Sequence, residues 1–190
     1  SVLRRTETAA GAWDFDGQQW IEDRALLNGL AADSQPVLTQ REGRDAGVRW
    51  RDFDNDGRGE LLVANDTQNA VLGWSESEGT WKKLDYALPA GARVVTADGR
   101  DAGLRFVDLN GDRYDDVVFS GESNYVIRLF VSEAIPDLGW KIGWNDEIVS
   151  GTRTGTRGDP LPAFVRPGPH RNNGAWFRSG QLFVQKIGLM

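Results

Sequence analysis

The stretch Asp52-Phe53-Asp54-Asn55-Asp56-Gly57-Arg58-Gly59-Glu60 decides the reading of this chain, because it returns in altered form as Asp108-Leu109-Asn110-Gly111-Asp112-Arg113-Tyr114-Asp115-Asp116. Each loop places oxygen-bearing side chains at positions 1, 3, 5 and 9. Each runs directly into a β-favouring apolar segment, Leu61-Leu62-Val63 in the first and Val117-Val118-Phe119 in the second. The pattern is that of a hard-cation loop feeding a strand, present twice.

Calcium takes six to eight oxygens in a flexible shell. Side chains at positions 1, 3 and 5 of a tight loop converge, and a backbone carbonyl at position 7 with a carboxylate at position 9 closes the shell. The expected ligands are Asp52, Asp54, Asp56, the Arg58 carbonyl and Glu60 in the first loop. In the second they are Asp108, Asn110, Asp112, the Tyr114 carbonyl and Asp116. Gly57 and Gly111 supply the turn. Clustered carboxylates repel one another, and a bound cation offsets that repulsion. The plain alternative is a set of Asx turns bonded to their own backbone. An EF-hand is excluded, because its bidentate Glu at position 12 is replaced by Val63 and Phe119. Magnesium prefers a smaller, water-rich octahedral shell. Zinc prefers Cys and His ligands, and this chain has no Cys and one His.

Working outward, Glu42-Gly43-Arg44-Asp45-Ala46-Gly47 precedes the first loop and Asp98-Gly99-Arg100-Asp101-Ala102-Gly103 the second, in the same register. A third copy, Arg171-Asn172-Asn173-Gly174, leads into Ala175-Trp176-Phe177 but has lost the acidic loop. Later segments repeat too. Ala70 to Trp74 is followed by Thr80 to Leu84, and Tyr125 to Phe130 by Gly139 to Ile142. Ser1 to Arg4 reads as the matching strand of the first unit, with Trp20 to Glu22 as its partner. Apolar and polar residues alternate as in half-buried strands. Asp23 to Leu30 reads as at most a short helical turn.

Four antiparallel strands in a unit of about fifty residues is the pattern of a β-propeller blade. The fold class is therefore all-β, with two whole blades and two half blades. The expected divisions are 1–44 (half blade and linker), 45–100 (blade with metal loop), 101–170 (blade with metal loop and long connection) and 171–190 (half blade without the loop). Paired halves would bring the total to three blades, short of the usual four to eight or so. The chain then reads as a piece of a longer propeller, or as one of two copies that complete a ring. Val149 to Pro169, rich in Gly, Thr, Arg and Pro, reads as a surface excursion.

Composition agrees. The chain has 190 residues, 39% apolar and 26% charged, which is ordinary for a globular domain. A net charge of −6 without a basic stripe argues against nucleic acid. No apolar run is long enough to span a bilayer. The absence of Cys removes disulfides and thiolate chemistry and leaves the compartment open. The start at Ser1 without Met or leader reads as a processed or excised product.

Other residues carry weaker signals. Arg44, Arg100 and Arg171 recur at one repeat position, as a ring of guanidinium groups for an anion or, preferably, as structural bridges. Trp20, Trp74, Trp81 and Trp140 are expected in the core between blades. Trp13, in an apparent hairpin loop, is the better candidate for an exposed ligand contact. The single histidine, His170, has no nucleophile elbow to serve and reads as a loop residue.

The two loops and the strands that follow resemble FG-GAP/VCBS repeats, the calcium-binding blades of integrin-type and bacterial secreted β-propellers. The resemblance covers most of 45–131. It implies calcium as the cofactor and an extracytoplasmic location: secreted, periplasmic or cell surface. It also implies a non-enzymatic scaffold that binds a protein or glycan partner. A lectin-like propeller is the alternative, and a propeller attached to a redox or hydrolytic enzyme comes third. The Arg-Asp-Ala-Gly linkers also resemble repeats of large bacterial multidomain proteins, some with haem modules. No Cys-x-x-Cys-His occurs here.

Overall fold

The computed structural model describes residues 1–154, 158–166, 174–178 and 181–184. Nearly all regular structure is antiparallel β. The first sheet joins β1 (Val2–Arg5), β2 (Ala10–Phe15) and β3 (Trp20–Glu22) in that order. A 3₁₀ turn, Arg24–Leu27, follows, with the Asp23 carboxylate accepting from the Ala25 N–H at 3.0 Å. Two-residue ladders come next: β4 (Ala31–Ala32) with β5 (Gln35–Pro36), and β6 (Gln40–Arg41) with β7 (Arg44–Asp45).

The second sheet is four-stranded, in the order β11-β10-β9-β8. Its strands are β8 (Val48–Arg51), β9 (Glu60–Ala64), β10 (Asn69–Ser75) and β11 (Thr80–Lys83). The third repeats this plan with β12 (Leu104–Val107), β13 (Asp116–Ser120), β14 (Asn124–Val131) and β15 (Gly143–Thr152). Last comes a pair, β16 (Trp176–Arg178) and β17 (Gln181–Phe183), whose register sets Arg178 opposite Gln181 with no room for an acidic loop. Among the described residues no helix is long and apolar enough to cross a membrane.

Strands β9 and β13 are buried along their whole length on both faces, as inner strands of stacked sheets must be. Three apolar clusters lie between successive units. Leu61, Val63, Leu72 and Trp81 meet Leu3, Leu30 and Val37. Phe53, Leu62 and Val71 meet Val117, Phe119, Phe130 and Trp144. Val118 and Ile127 meet Phe164, Phe177 and Leu182. The sheets therefore stack face to face, as blades do.

Several expectations change. Ser1 to Arg4 is not the counterpart of β10: that place belongs to β2, and the first unit has three strands. Trp13 consequently lies inside β2, half-buried, and the hairpin connection is Asp16 to Gln19. Trp20 is exposed, because among the described residues no sheet packs on the outer face of the first sheet. Trp140 sits in an isolated bridge to Ile135, half-buried, while Trp144 on β15 takes the core position. The connection after β15 is not wholly superficial, since Leu161, Phe164 and Val165 are buried and plug the gap beside the third sheet. Arg171 and His170 lie outside the described residues.

Candidate metal centre

The first acidic loop joins β8 to β9 and is folded by its own side chains. Asp52 Oδ2 accepts from the Gly57 N–H at 3.1 Å, Asp54 Oδ1 from Asp56 at 3.2 Å, and Asp56 Oδ1 from Arg58 at 2.8 Å. These are Asx-type turns, and they fold the chain so tightly that Asn55 and Gly57 take left-handed φ values of 58° and 85°. At the loop's end Glu60 opens β9 with its carboxylate pointing inward, where Oε2 accepts from the Phe53 N–H at 2.7 Å.

The outcome is convergence. Asp52, Asp54, Asp56 and Glu60 each offer a carboxylate oxygen, and these oxygens lie within 4.8 Å of one another. Among the described residues no other group of three or more Asp, Glu or His side chains meets this condition. Asp52 Oδ1 is buried and has no hydrogen-bond partner. Burial pushes the Glu60 carboxyl up from its ordinary 4.5 to about 7; the neighbouring Asp54, Asp56 and Asp52 push the same way, against the Phe53 N–H. Asp54 is raised as well, by burial first and then by Asp56 and Asp52. An orphaned buried carboxylate oxygen among four converging acids is a donor set suited to a hard cation.

The second loop joins β12 to β13 and is more self-contained. Asp108 Oδ1 accepts from Gly111 at 2.7 Å and Asp112 at 3.2 Å, and Oδ2 accepts from Arg113 at 3.0 Å. The Asn110 amide donates to Asp112 Oδ2 at 2.8 Å, and Asp112 Oδ1 accepts from the Tyr114 N–H at 2.9 Å. Asp116 is fully buried, and its two oxygens accept from Leu109 and Phe130, both at 2.8 Å. Burial raises its carboxyl, the two N–H groups oppose this, and Asp112 and Asp108 add to the rise. Asp108, Asp112 and Asp116 do not converge as the first set does. The longer Glu60 keeps one oxygen clear of the backbone, whereas Asp116 commits both.

The loops also touch each other. The Asn55 amide donates to the Arg113 carbonyl at 2.7 Å. Arg51, just before the first loop, pairs with Asp115 of the second and lies over the Phe106 ring at 5.6 Å. Phe53, with no exposed surface, packs on Phe106 at 5.1 Å and edge-on to Trp144 at 5.2 Å.

Tyr86 has no place in the repeat pattern, yet it belongs to this neighbourhood. Its hydroxyl is buried without a partner. Burial raises the phenol above its usual value, and Glu60, Asp54, Asp56 and Asp52 act in the same direction. Its ring meets Phe130 and Trp144 edge-on at 5.6 and 5.8 Å. No local motif marks such a residue, because it reaches the site from the linker after β11.

The repeated linkers have a structural task. Asp45 Oδ1 accepts from the Gly47 N–H at 2.8 Å and Asp45 pairs with Arg49; Asp101 does the same with Gly103 at 2.8 Å and with Arg105. Gly47, with φ of 80°, lies so close to the strand end that a Cβ would sit 2.5 Å from the Ala64 carbonyl oxygen. Arg44 is exposed on β7 and a Cβ on Gly99 would touch it, while Arg100 pairs with Asp98 at 3.2 Å. Arg58 is exposed, with its side chain 3.9 Å from Glu76.

No curated protein and no solved structure matches the chain. The family model of the FG-GAP-like repeat matches residues 33–119, from the β4–β5 turn through the second sheet and both acidic loops to Phe119 near the end of β13. Over that stretch the chain is similar to the FG-GAP-like repeat.

Proposed function

We propose that this is a calcium-stabilised β-propeller region, non-enzymatic, that serves as an extracytoplasmic scaffold for a binding partner. The observation that carries the reading is the convergence of Asp52, Asp54, Asp56 and Glu60 around the orphaned Asp52 Oδ1. These four side chains, with the Arg58 carbonyl, would hold the ion. Its charge would offset the mutual repulsion of the carboxylates and favour their ionised forms. Asp108, Asn110, Asp112, the Tyr114 carbonyl and Asp116 form a second, weaker candidate. Blades at 45–100 and 101–170 each carry one loop. The link from ion to architecture runs through Phe53: its N–H is held by Glu60 and its ring fills the gap between the second and third sheets.

Thermal melting in calcium and in chelator tests this. Ion binding to the folded form alone adds about 2.7 kcal/mol at a hundredfold excess over Kd. Calcium raises Tm, and Asp52→Ala with Asp54→Ala removes most of the rise. Equal melting of the wild type with and without calcium overturns the reading.

A second reading, a carbohydrate-binding propeller, is favoured by one observation. A cavity of about 580 Å³ lies between β8 and β12, with Trp50 and Phe106 beside Arg49, Arg51 and Arg105. Aromatic faces beside polar groups suit sugar rings. Glycan-array signal in calcium that disappears in Trp50→Ala supports it; an array without signal removes it.

A further inference from the structure

Among the described residues only three buried side-chain oxygen or nitrogen atoms lack a hydrogen-bond partner. One is Asp52 Oδ1 of the first acidic loop, and another is the hydroxyl of Tyr86. The third, Arg128 Nε on β14, belongs to a guanidinium that another nitrogen already pairs with Glu147.

The linker after β11 holds Tyr86 from both sides. The Leu84 N–H donates to the Val71 carbonyl at 2.8 Å, and Leu88 exchanges two bonds with the Asn69 side chain, at 2.9 and 3.1 Å. A Cβ on Gly143 would lie 2.4 Å from Tyr86 Cβ, so the bare glycine leaves room for this residue. The Tyr86 ring lies edge-on to Trp144, and Trp144 lies edge-on to Phe53. The Phe53 N–H is the group that holds Glu60 Oε2 at 2.7 Å. Tyr86 thus belongs to the aromatic cluster that backs the Glu60 carboxylate.

These contacts account for the ring and not for the hydroxyl. Phenylalanine would make them equally well without burying an unpaired donor, which costs free energy. Burial first, then Glu60, Asp54, Asp56 and Asp52, raise the phenol and keep it protonated, as a donor. Glu60 has capacity to accept, since Phe53 takes only Oε2. Asp116, the corresponding acid of the second loop, spends both oxygens on Leu109 and Phe130.

We infer that Tyr86 is a positioning residue of the ion site, whose O–H donates to the Glu60 carboxylate when the first loop holds calcium. The inference rests on the calcium reading above. A carboxylate that ligates a metal is itself oriented by hydrogen bonds from outside the shell, and these raise ion affinity. A bond to a charged acceptor is also stronger than one between neutral groups. No repeat position carries such a residue, so the second loop has no counterpart of it in the sequence pattern.

Calorimetric titration of the chelator-treated full chain with calcium chloride tests this, beside thermal melting in chelator and in calcium. In Tyr86→Phe the tighter calcium-binding step weakens at least about tenfold, as befits one hydrogen bond to a charged group. Calcium also raises Tm by less in the variant than in the wild type. In chelator the variant melts no lower than the wild type, because the ring contacts are kept. A residue that only packs would leave both the affinity and the calcium-induced rise unchanged. Equal affinity in the two proteins overturns the inference and leaves the calcium reading standing. A wild type that takes up no calcium removes both.

Discussion

The side-chain amide of Asn55 reaches across from the first acidic loop and donates to the main-chain carbonyl of Arg113 in the second, at 2.7 Å. Two loops of successive sheets, distant in sequence, are thereby bonded directly. Asn55 stands at φ 58°, a conformation that Asn and Gly tolerate better than most residues. Asn55→Gly keeps the backbone and deletes the bond, which costs about 1 kcal/mol. For a chain of this length that is a fall in Tm of about 2–4 °C. Asn55→Ala adds backbone strain and melts lower still. Scanning calorimetry of both variants checks the order; Ala melting at or above Gly would count against it.

Phe53 is the hinge between ion loop and blade interface. Its ring is fully buried among Phe106 and Trp144. Phe53→Ala is expected to cost about 3–5 kcal/mol, the usual range for a buried phenylalanine. The loss appears in urea unfolding, and hydrogen exchange should quicken in β12 to β15 as well as in the loop. Quickening confined to Asp52–Glu60 would show that the ring does not couple the sheets.

Glu60 sets a pH dependence of definite sign. Its folded value, about 7, lies above its ordinary 4.5. Between these values the folded state of the metal-free protein holds more protons than the unfolded state. Unfolding free energy therefore falls as pH rises from about 4.5 to 7, by at most about 3 kcal/mol, and stays low above 7. Asp54 and Asp116, also raised by burial, act in the same direction. In chelator, Tm falls across that window, and the fall is smaller in Glu60→Gln. Calcium flattens the slope by favouring the ionised carboxylates. Identical slopes in wild type and Glu60→Gln would refute the assignment.

Tyr86 offers a test with the opposite expectation. Its hydroxyl is buried with no partner, so it carries a desolvation cost without a compensating bond. Tyr86→Phe keeps the ring contacts with Phe130 and Trp144 and removes that cost. The variant is expected to be as stable as wild type or more stable, by about 1 kcal/mol. Clear destabilisation, measured by urea unfolding in chelator, would mean that the hydroxyl has a bonding partner in solution.

The acidic loops were legible because their folding is local. Asp54 bonds Asp56 and Asp56 bonds Arg58, so the turn is encoded within nine residues. The same holds for the linkers, where Asp45 binds Gly47 and Arg49, and for the short apolar runs that mark β10 and β14 as strands. The likeness to the FG-GAP-like repeat and the all-β class followed from these short-range patterns. Trp140 stands where the repeat spacing would put the counterpart of Trp81, but the chain makes an isolated bridge to Ile135 there, and Trp144, four residues on in β15, fills the core.

What depended on the packing of one sheet against another was decided only in three dimensions. Sequence treats Trp20 and Trp81 alike, since both face their partner strands in the same pattern; one is exposed and the other buried because, among the described residues, only one has a sheet stacked upon it. It treats the two loops alike as well. Yet burial and backbone bonding draw four carboxylates together at Asp52–Glu60, while Asp116 spends both oxygens on Leu109 and Phe130. Tyr86 and Phe164 enter from linkers, through contacts with no sequence period. Local hydrogen bonds are written in adjacent residues. Burial and the electrostatics that follow from it belong to the assembled stack.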